Sequence, residues 1–241
     1  MKFEELASQI KIFADGADIN TMKKQYESPF IKGFTSNPSI MKRDGVKSYK
    51  EFSQTLLSFI KDKSISFEIF SDNIEDMEKE ALEISSWGKN VCVKIPITNS
   101  KGEYTSELIK KLSDKNVNIN VTAVFTIDQV KKVVDNFSKD TQNIISIFAG
   151  RIADSGVDPM PIMKEAVSLA KKHNNIEILW ASPREVYNAF QARDCGVDII
   201  TCSADMIDKL YKIGSKLEDI SLDTVKMFVQ ATKDLGFSVF E

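Results

Sequence analysis

Eight short apolar runs punctuate the chain at intervals of about 27 residues, the span of one strand, one helix and their loops. They are IKIFA (10–14), IKGFT (31–35), SISFEIF (64–70), NVCVKIP (90–96), VNINVTA (117–123), NIISIFA (143–149), IEILWAS (176–182) and VDIITCS (197–203). The segments between them carry helix signals. Apolar residues recur at helical spacing in YTSELIKKLSD and REVYNAFQARD. Thr126 with Gln129 reads as a capping box opening a helix toward Ser138. Asp158-Pro159 and Ser182-Pro183 each place an N-cap residue before a proline at the first helical position. A last helix is expected from about Ser221, stopping near Gly236. This alternation predicts an α/β protein, a single (β/α)8 TIM barrel with an extra C-terminal helix; a doubly wound open sheet is the competing architecture. No linker or break in composition interrupts residues 1–241, which read as one domain.

The middle strands say more. Ile65, Phe67 and Ile69 alternate with Ser66 and Glu68; Val91, Val93 and Ile95 alternate with Cys92 and Lys94. Val117, Ile119 and Val121 alternate with Asn118, Asn120 and Thr122, and Ile145 and Ile147 with Ser146 and Phe148. Successive strand residues point to opposite faces. With the apolar set against the helices, Glu68, Lys94, Asn120, Thr122 and Ser146 converge inside the barrel, where branched apolar residues are the rule. The C-terminal ends of barrel strands are also where active sites of this fold lie.

A lysine in an otherwise apolar strand must be paired or desolvated, and desolvation favours the neutral amine that attacks a ketone to form a Schiff base. Lys94 is therefore either such a nucleophile or half of a buried ion pair with Glu68. Asp15 and Asn37 follow the first and second strands. Asp15 reads as a proton-transfer carboxylate or a turn residue beside Gly16; Asn37 reads as a donor to a substrate hydroxyl or an Asx turn before Pro38. Only four of the 32 basic residues are arginine, and Arg151 and Arg184 sit just past the sixth and seventh strands. Arginine's planar fork suits bidentate phosphate binding, and Ser182 precedes an expected helix start that would attract an anion. Surface ion pairs are the alternative for both arginines.

Composition removes other chemistries. His173 is the one histidine, and Cys92, Cys195 and Cys202 form no C-x-x-C pair, so no zinc site of usual spacing can be assembled and no metal is expected. The ten glycines include no G-x-G, and no P-loop occurs, so no cofactor is expected. With 32 basic against 35 acidic residues, a nucleic-acid partner is not expected. The apolar segments are too short to span a membrane, MKFEELASQI lacks a signal-peptide core, and the odd cysteine count suits a reducing compartment, so a cytoplasmic protein is expected.

In order along the chain, FADGAD, GFTSNPSI, SFEIF, VKIP, NVTAVFT, ISIFAGRIAD and ASPR resemble the transaldolase family, including its short members and the related fructose-6-phosphate aldolases. The resemblance implies a metal-free Schiff-base mechanism acting on sugar phosphates, in the manner of the pentose phosphate pathway. By that resemblance Lys94 matches the Schiff-base lysine and Asp15 the acid/base. Glu68 and Thr122 match the pair that holds a catalytic water. Asn37, Asn120 and Ser146 match groups on the dihydroxyacetone part, and Arg151, Ser182 and Arg184 match the phosphate site. Transaldolases carry Glu and Phe where the related aldolases tend to have Gln and Tyr; here the residues are Glu68 and Phe148. Gly16 departs from the family, which usually has Thr or Ser after the aspartate. Transfer of a dihydroxyacetone unit is thus the expected activity, with release of free dihydroxyacetone, or binding of sugar phosphates without catalysis, as alternatives. A homo-oligomer is expected.

Overall fold

A computed structural model describes residues 1–240. A short helix α1 (Phe3–Ala7) leads into β1 (Lys11–Asp15), α2 (Ile19–Glu27) and β2 (Ile31–Thr35), after which two helices follow, α3 (Pro38–Arg43) and α4 (Tyr49–Phe59). Next come β3 (Ser64–Glu68), α5 (Ile74–Ser86), β4 (Val91–Pro96), α6 (Ser106–Ser113), β5 (Ile119–Val124), α7 (Ile127–Val134) and β6 (Asn143–Ile147). Helices α8 (Ala149–Asp154) and α9 (Met160–Ala170) precede β7 (Ile176–Trp180), α10 (Tyr187–Asp194), β8 (Ile199–Ser203), α11 (Ala204–Leu210) and α12 (Leu217–Leu235). The eight strands run parallel in sequence order and close on themselves, β1 pairing with β8 from Lys11↔Ile199 to Asp15↔Ser203. Closure excludes the open sheet and makes this a (β/α)8 barrel with an additional C-terminal helix.

The strand alternation does what the sequence pattern requires. Ile65, Phe67, Val93, Ile95, Ile119, Val121, Ile145 and Ile147 are fully buried and pack outward with Leu56, Met77, Leu112, Val130 and Met163 of the helices. Each such side chain contributes roughly 1.5–3 kcal/mol by leaving water. The other row points inward. Toward the N-terminal end it is apolar, with Phe13, Cys92, Ile144 and Ile199 in a separate cluster that Leu179 and Ala181 extend up to the C-terminal mouth. Phe13 fits because its ladder partner is Gly33, where a β-carbon would lie 2.4 Å from the ring.

Several helix ends differ from the sequence expectation. The capping box of Thr126 and Gln129 is present, but α7 ends at Val134, short of Ser138, where the Asn136 amide takes the carbonyl of Lys132. Helix α9 starts at Met160, one residue late, its first amide held by the Asp158 carboxylate from outside the helix. No helix starts at Ser182-Pro183. Ser182 adopts a positive φ of 56°, and the Asn188 side-chain oxygen accepts from the amides of Arg184 and Glu185, so α10 opens only at Tyr187. The anion-attracting helix start read at Ser182 is therefore absent. Helix α12 begins four residues earlier than expected, with Glu218 and Asp219 in its first turn complementing the helix dipole, and stops at Gly236 in the left-handed conformation (φ 71°). It buries none of its residues.

Candidate active site

The polar half of the inward row occupies the C-terminal end of the barrel. Glu68 and Lys94 are register partners on β3 and β4, so both side chains leave the same face of the sheet. Lys94 Nζ lies 3.0 Å from Glu68 Oε2 and donates to the Ser36 carbonyl at 3.3 Å. The ion pair read as one alternative for Lys94 is thus present, and it lies on a cavity wall rather than deep in the core. Behind it, the Asn120 amide donates to Ser66 Oγ at 3.0 Å while its carbonyl accepts from Ser146 Oγ at 2.7 Å. Three strands are cross-linked by this buried chain, which satisfies groups that would otherwise cost desolvation energy.

A bulge shapes the next strand. Pairing jumps from Val121↔Ile145 to Val124↔Ile147, so Thr122 and Ala123 together oppose Ser146. Ala123 takes a positive φ of 57°, which costs a residue with a β-carbon about 1–2 kcal/mol. Thr122 Oγ1 is buried without a hydrogen-bond partner among the described residues and lies on the cavity wall with Glu68. Strained backbone and unsatisfied polar atoms are retained where a site needs them.

Asp15 closes β1. Burial raises its carboxyl above the usual carboxylate range, outweighing the pull of Lys94 and of a 2.7 Å hydrogen bond from Thr35 Oγ1; Glu68 adds repulsion and Arg43 a weaker attraction. Asn37 accepts from the Ile40 amide at 3.0 Å as the N-cap of α3, and it also lines the cavity.

The arginines divide. Arg43, Arg184 and Arg193 pair with Asp44, Asp154 and Asp194. Among the described residues Arg151 has no such pair; its guanidinium lies 5.1 Å from the centre of the Phe148 ring and faces the cavity. Arg184 stands outside the cavity, its Nε 3.0 Å from Asp154 Oδ1. Ser182 does reach the cavity wall. Its carbonyl sits against Gly150, where a β-carbon would come within 1.6 Å, so only glycine lets the start of α8 close on this loop.

The resulting cavity holds about 300 Å³ and gathers Asp15, Asn37, Glu68, Lys94, Thr122, Ser146, Phe148, Arg151 and Ser182. Asn120 lies beneath it through Ser146, and Arg184 beside it. Thr35, Thr201, Leu179 and Ala181 also line it and were not among the sequence candidates. The signal was there in IKGFT and VDIITCS, whose Thr35 and Thr201 fall on the inward row of β2 and β8.

A family model described as transaldolase/fructose-6-phosphate aldolase matches residues 12–239. The chain belongs to this family. It is 32% identical over 193 residues to a probable transaldolase of Dehalococcoides mccartyi, covering 80% of this chain and 86% of that one. A probable transaldolase of Caldicellulosiruptor saccharolyticus is 31% identical over 216 residues, 89% and 94% of the two chains. Among solved structures, a dihydrodipicolinate synthase from Rhodopseudomonas palustris superposes with a TM-score of 0.58 at 13% identity, over 94% of this chain and 77% of that one. At that identity the likeness speaks to the barrel alone. No helix among the described residues is long and apolar enough to cross a membrane.

Proposed function

We propose that the chain is a transaldolase that moves a dihydroxyacetone unit between sugar phosphates through a Schiff base on Lys94. The observation that carries this reading is the placement of the Lys94 amine 3.0 Å from Glu68 in one cavity with the Asp15 carboxyl. Lys94 Nζ adds to the ketone carbon of a ketose phosphate such as fructose 6-phosphate or sedoheptulose 7-phosphate. Proton transfers through a water held by Glu68 and Thr122 then expel the carbonyl oxygen as water; the unpartnered Thr122 hydroxyl supports that assignment. Asp15 takes the proton of the hydroxyl next to the bond being cut. Carbon–carbon cleavage sends its electron pair into the iminium, an aldose phosphate leaves, and an enamine remains. An acceptor aldehyde reverses these steps, Asp15 returning the proton, and hydrolysis frees Lys94. Burial suits Asp15 to both directions, because raised proton affinity makes its carboxylate a stronger base and leaves a larger share of its carboxyl protonated, with a proton to return, near neutral pH.

Asn37, Asn120 and Ser146 hold the hydroxyls of the three-carbon unit. Arg151 and Ser182 take the phosphate, Arg151 being the arginine that pairs with no carboxylate among the described residues; Arg184 joins them by exchanging Asp154 for phosphate. The related aldolase reaction, release of free dihydroxyacetone, is the second reading, and Glu68 with Phe148 favours transfer over it. Measuring free dihydroxyacetone from fructose 6-phosphate with and without erythrose 4-phosphate separates the two. Little release without acceptor and rapid conversion with it is the expected result; rapid release without acceptor would reject transfer.

This reading places the chain in the cytoplasm as one domain without metal or organic cofactor, acting within pentose phosphate metabolism. It also makes the protein a homo-oligomer. The bare apolar side chains of α12, Leu217, Val225, Met227 and Phe228 among them, are more than half exposed and support association with a second copy. Light scattering that returned a monomer at micromolar concentration would contradict this.

A further inference from the structure

We propose that Thr201 is a positioning residue for proton transfer, forming with Thr35 a two-hydroxyl chain whose hydrogen-bond direction reverses as Asp15 gains and loses its proton. The proposal rests on the reading of Asp15 as the proton-transfer group and deepens it. Thr35 Oγ1 lies 2.7 Å from Asp15 Oδ1 and 2.6 Å from Thr201 Oγ1. Both threonines are almost wholly buried, at 2% and 6% exposure. Thr35 is the register partner of Asp15 on β2, and Thr201 faces inward from the middle of β8. A hydroxyl at such a position costs desolvation energy that valine, its near isostere, would avoid, so the oxygen there calls for a partner with consequence.

Each hydroxyl has one proton, and that fixes the states open to the chain. When Asp15 is a carboxylate, Thr35 must donate to it, and the 2.6 Å contact is then made by Thr201 donating to Thr35. When Asp15 is protonated, it can donate to Thr35, whose own proton turns to Thr201, and the Thr201 proton turns toward the cavity. No O–H bond of either threonine breaks; the hydroxyls rotate. Asp15 therefore keeps a partner in both protonation states without a competing group having to move in. The carboxylate state gains more, because there the chain ends on a charge and each bond polarises the next.

The other groups facing Asp15 come from four elements. Lys94 of β4 and Arg43 of α3 attract its charge, Glu68 of β3 repels it, and Cys202 of β8 lies within electrostatic reach. Burial pushes the Cys202 thiol up, so it stays neutral over the working pH range. Among the described residues none of these groups shares a side-chain hydrogen bond with Thr201, and the hydroxyl path from Thr201 to Asp15 runs through Thr35.

The test is the pH dependence of kcat/KM for cleavage of fructose 6-phosphate with erythrose 4-phosphate as acceptor, together with borohydride trapping of the Lys94 adduct. Thr201→Val is expected to move the acid limb to higher pH by roughly half a pH unit, and Thr35→Val by roughly one or more, the scale of a neutral hydrogen bond lost to a carboxylate. Thr201→Ser, which keeps the hydroxyl, is expected to restore the wild-type profile, and KM is expected to change little. Should Thr201→Val not accumulate as folded protein, Thr201→Cys, close in size and a weak donor, makes the same test with a shift in the same direction. A Thr201→Val profile that superimposes on wild type overturns the proposal. So does a Thr201→Ser profile displaced as far as that of valine, because it would assign the effect to packing of the methyl group. If wild-type protein forms no Lys94 adduct, the reading of the reaction fails instead; an adduct in wild type and Thr201→Val with unmoved profiles removes only the chain.

Discussion

The two ends of the barrel interior are built from the same strands, yet they obey opposite rules. Toward the N-terminal end, Phe13, Cys92, Ile144 and Ile199 fill the interior as a packed plug. Two residues further along the same strands, Asp15, Lys94, Ser146 and Thr201 replace them with charge and hydroxyls. The plug adds apolar burial, which stabilises the fold. The mouth adds a raised carboxyl, an orphaned hydroxyl and a left-handed alanine, each of which costs stability. A parallel barrel can thus separate stability from chemistry by position along a strand, with two residues as the unit of change.

Substitutions at the two ends should behave oppositely. Lys94→Met at the mouth is expected to lower turnover by at least about 10³-fold while leaving a cooperative unfolding transition, because the plug and helix-facing rows are untouched. Steady-state rates and circular-dichroism melts check this together. Asp15→Asn is expected to lower turnover by roughly 10²–10⁴-fold, and it should also raise the melting temperature at neutral pH. The sign follows from burial. A carboxyl whose proton affinity is higher folded than unfolded destabilises the fold once pH exceeds its unfolded value, and increasingly so until it has ionised in the folded state. The stabilisation by asparagine should therefore shrink as pH falls toward 4, the range of an ordinary aspartate; a melting-temperature difference that does not change with pH would break the comparison.

At the other end, Phe13→Ala is expected to cost about 3–5 kcal/mol, read as a lower denaturation midpoint, with the rate of the folded fraction changed only a few-fold. The smallest effect concerns Cys92. Burial pushes its thiol up to about 12, outweighing a lowering by Ser66, so iodoacetamide should alkylate it far more slowly in folded protein at pH 8 than in urea. Rapid labelling of the folded chain would mean that the plug is open.

Much of this was legible in the chain because period-2 alternation is a local signal. Ile65, Phe67 and Ile69 against Ser66 and Glu68 place the glutamate inside the barrel without any knowledge of its neighbours. The order of apolar runs likewise leads to eight strands, and barrel closure joins Asp15 to Ser203 across nearly the whole chain. The Ser182-Pro183 signal opens no helix because a side chain six residues on, Asn188, captures the amides that a helix would have used. Arg184 shares with Arg151 its place after a strand, but its pairing with Asp154, thirty residues away in sequence, is not visible in the local pattern. Thr35 and Thr201 went unread for a related reason. Alternation places each on the inward row, but their hydrogen bond joins β2 to β8, and neither segment alone reveals that contact. Helix α12 was placed correctly in kind, but its lack of any buried residue is a property of the fold that periodicity does not carry.

The central claim is that Lys94 is the nucleophile. Incubating the protein with fructose 6-phosphate and borohydride, then mapping the product by peptide mass spectrometry, tests it directly. The account predicts a reduced three-carbon adduct on the peptide containing Lys94, absent from Lys94→Ala. No adduct on wild-type protein, or one that survives in Lys94→Ala, would contradict it.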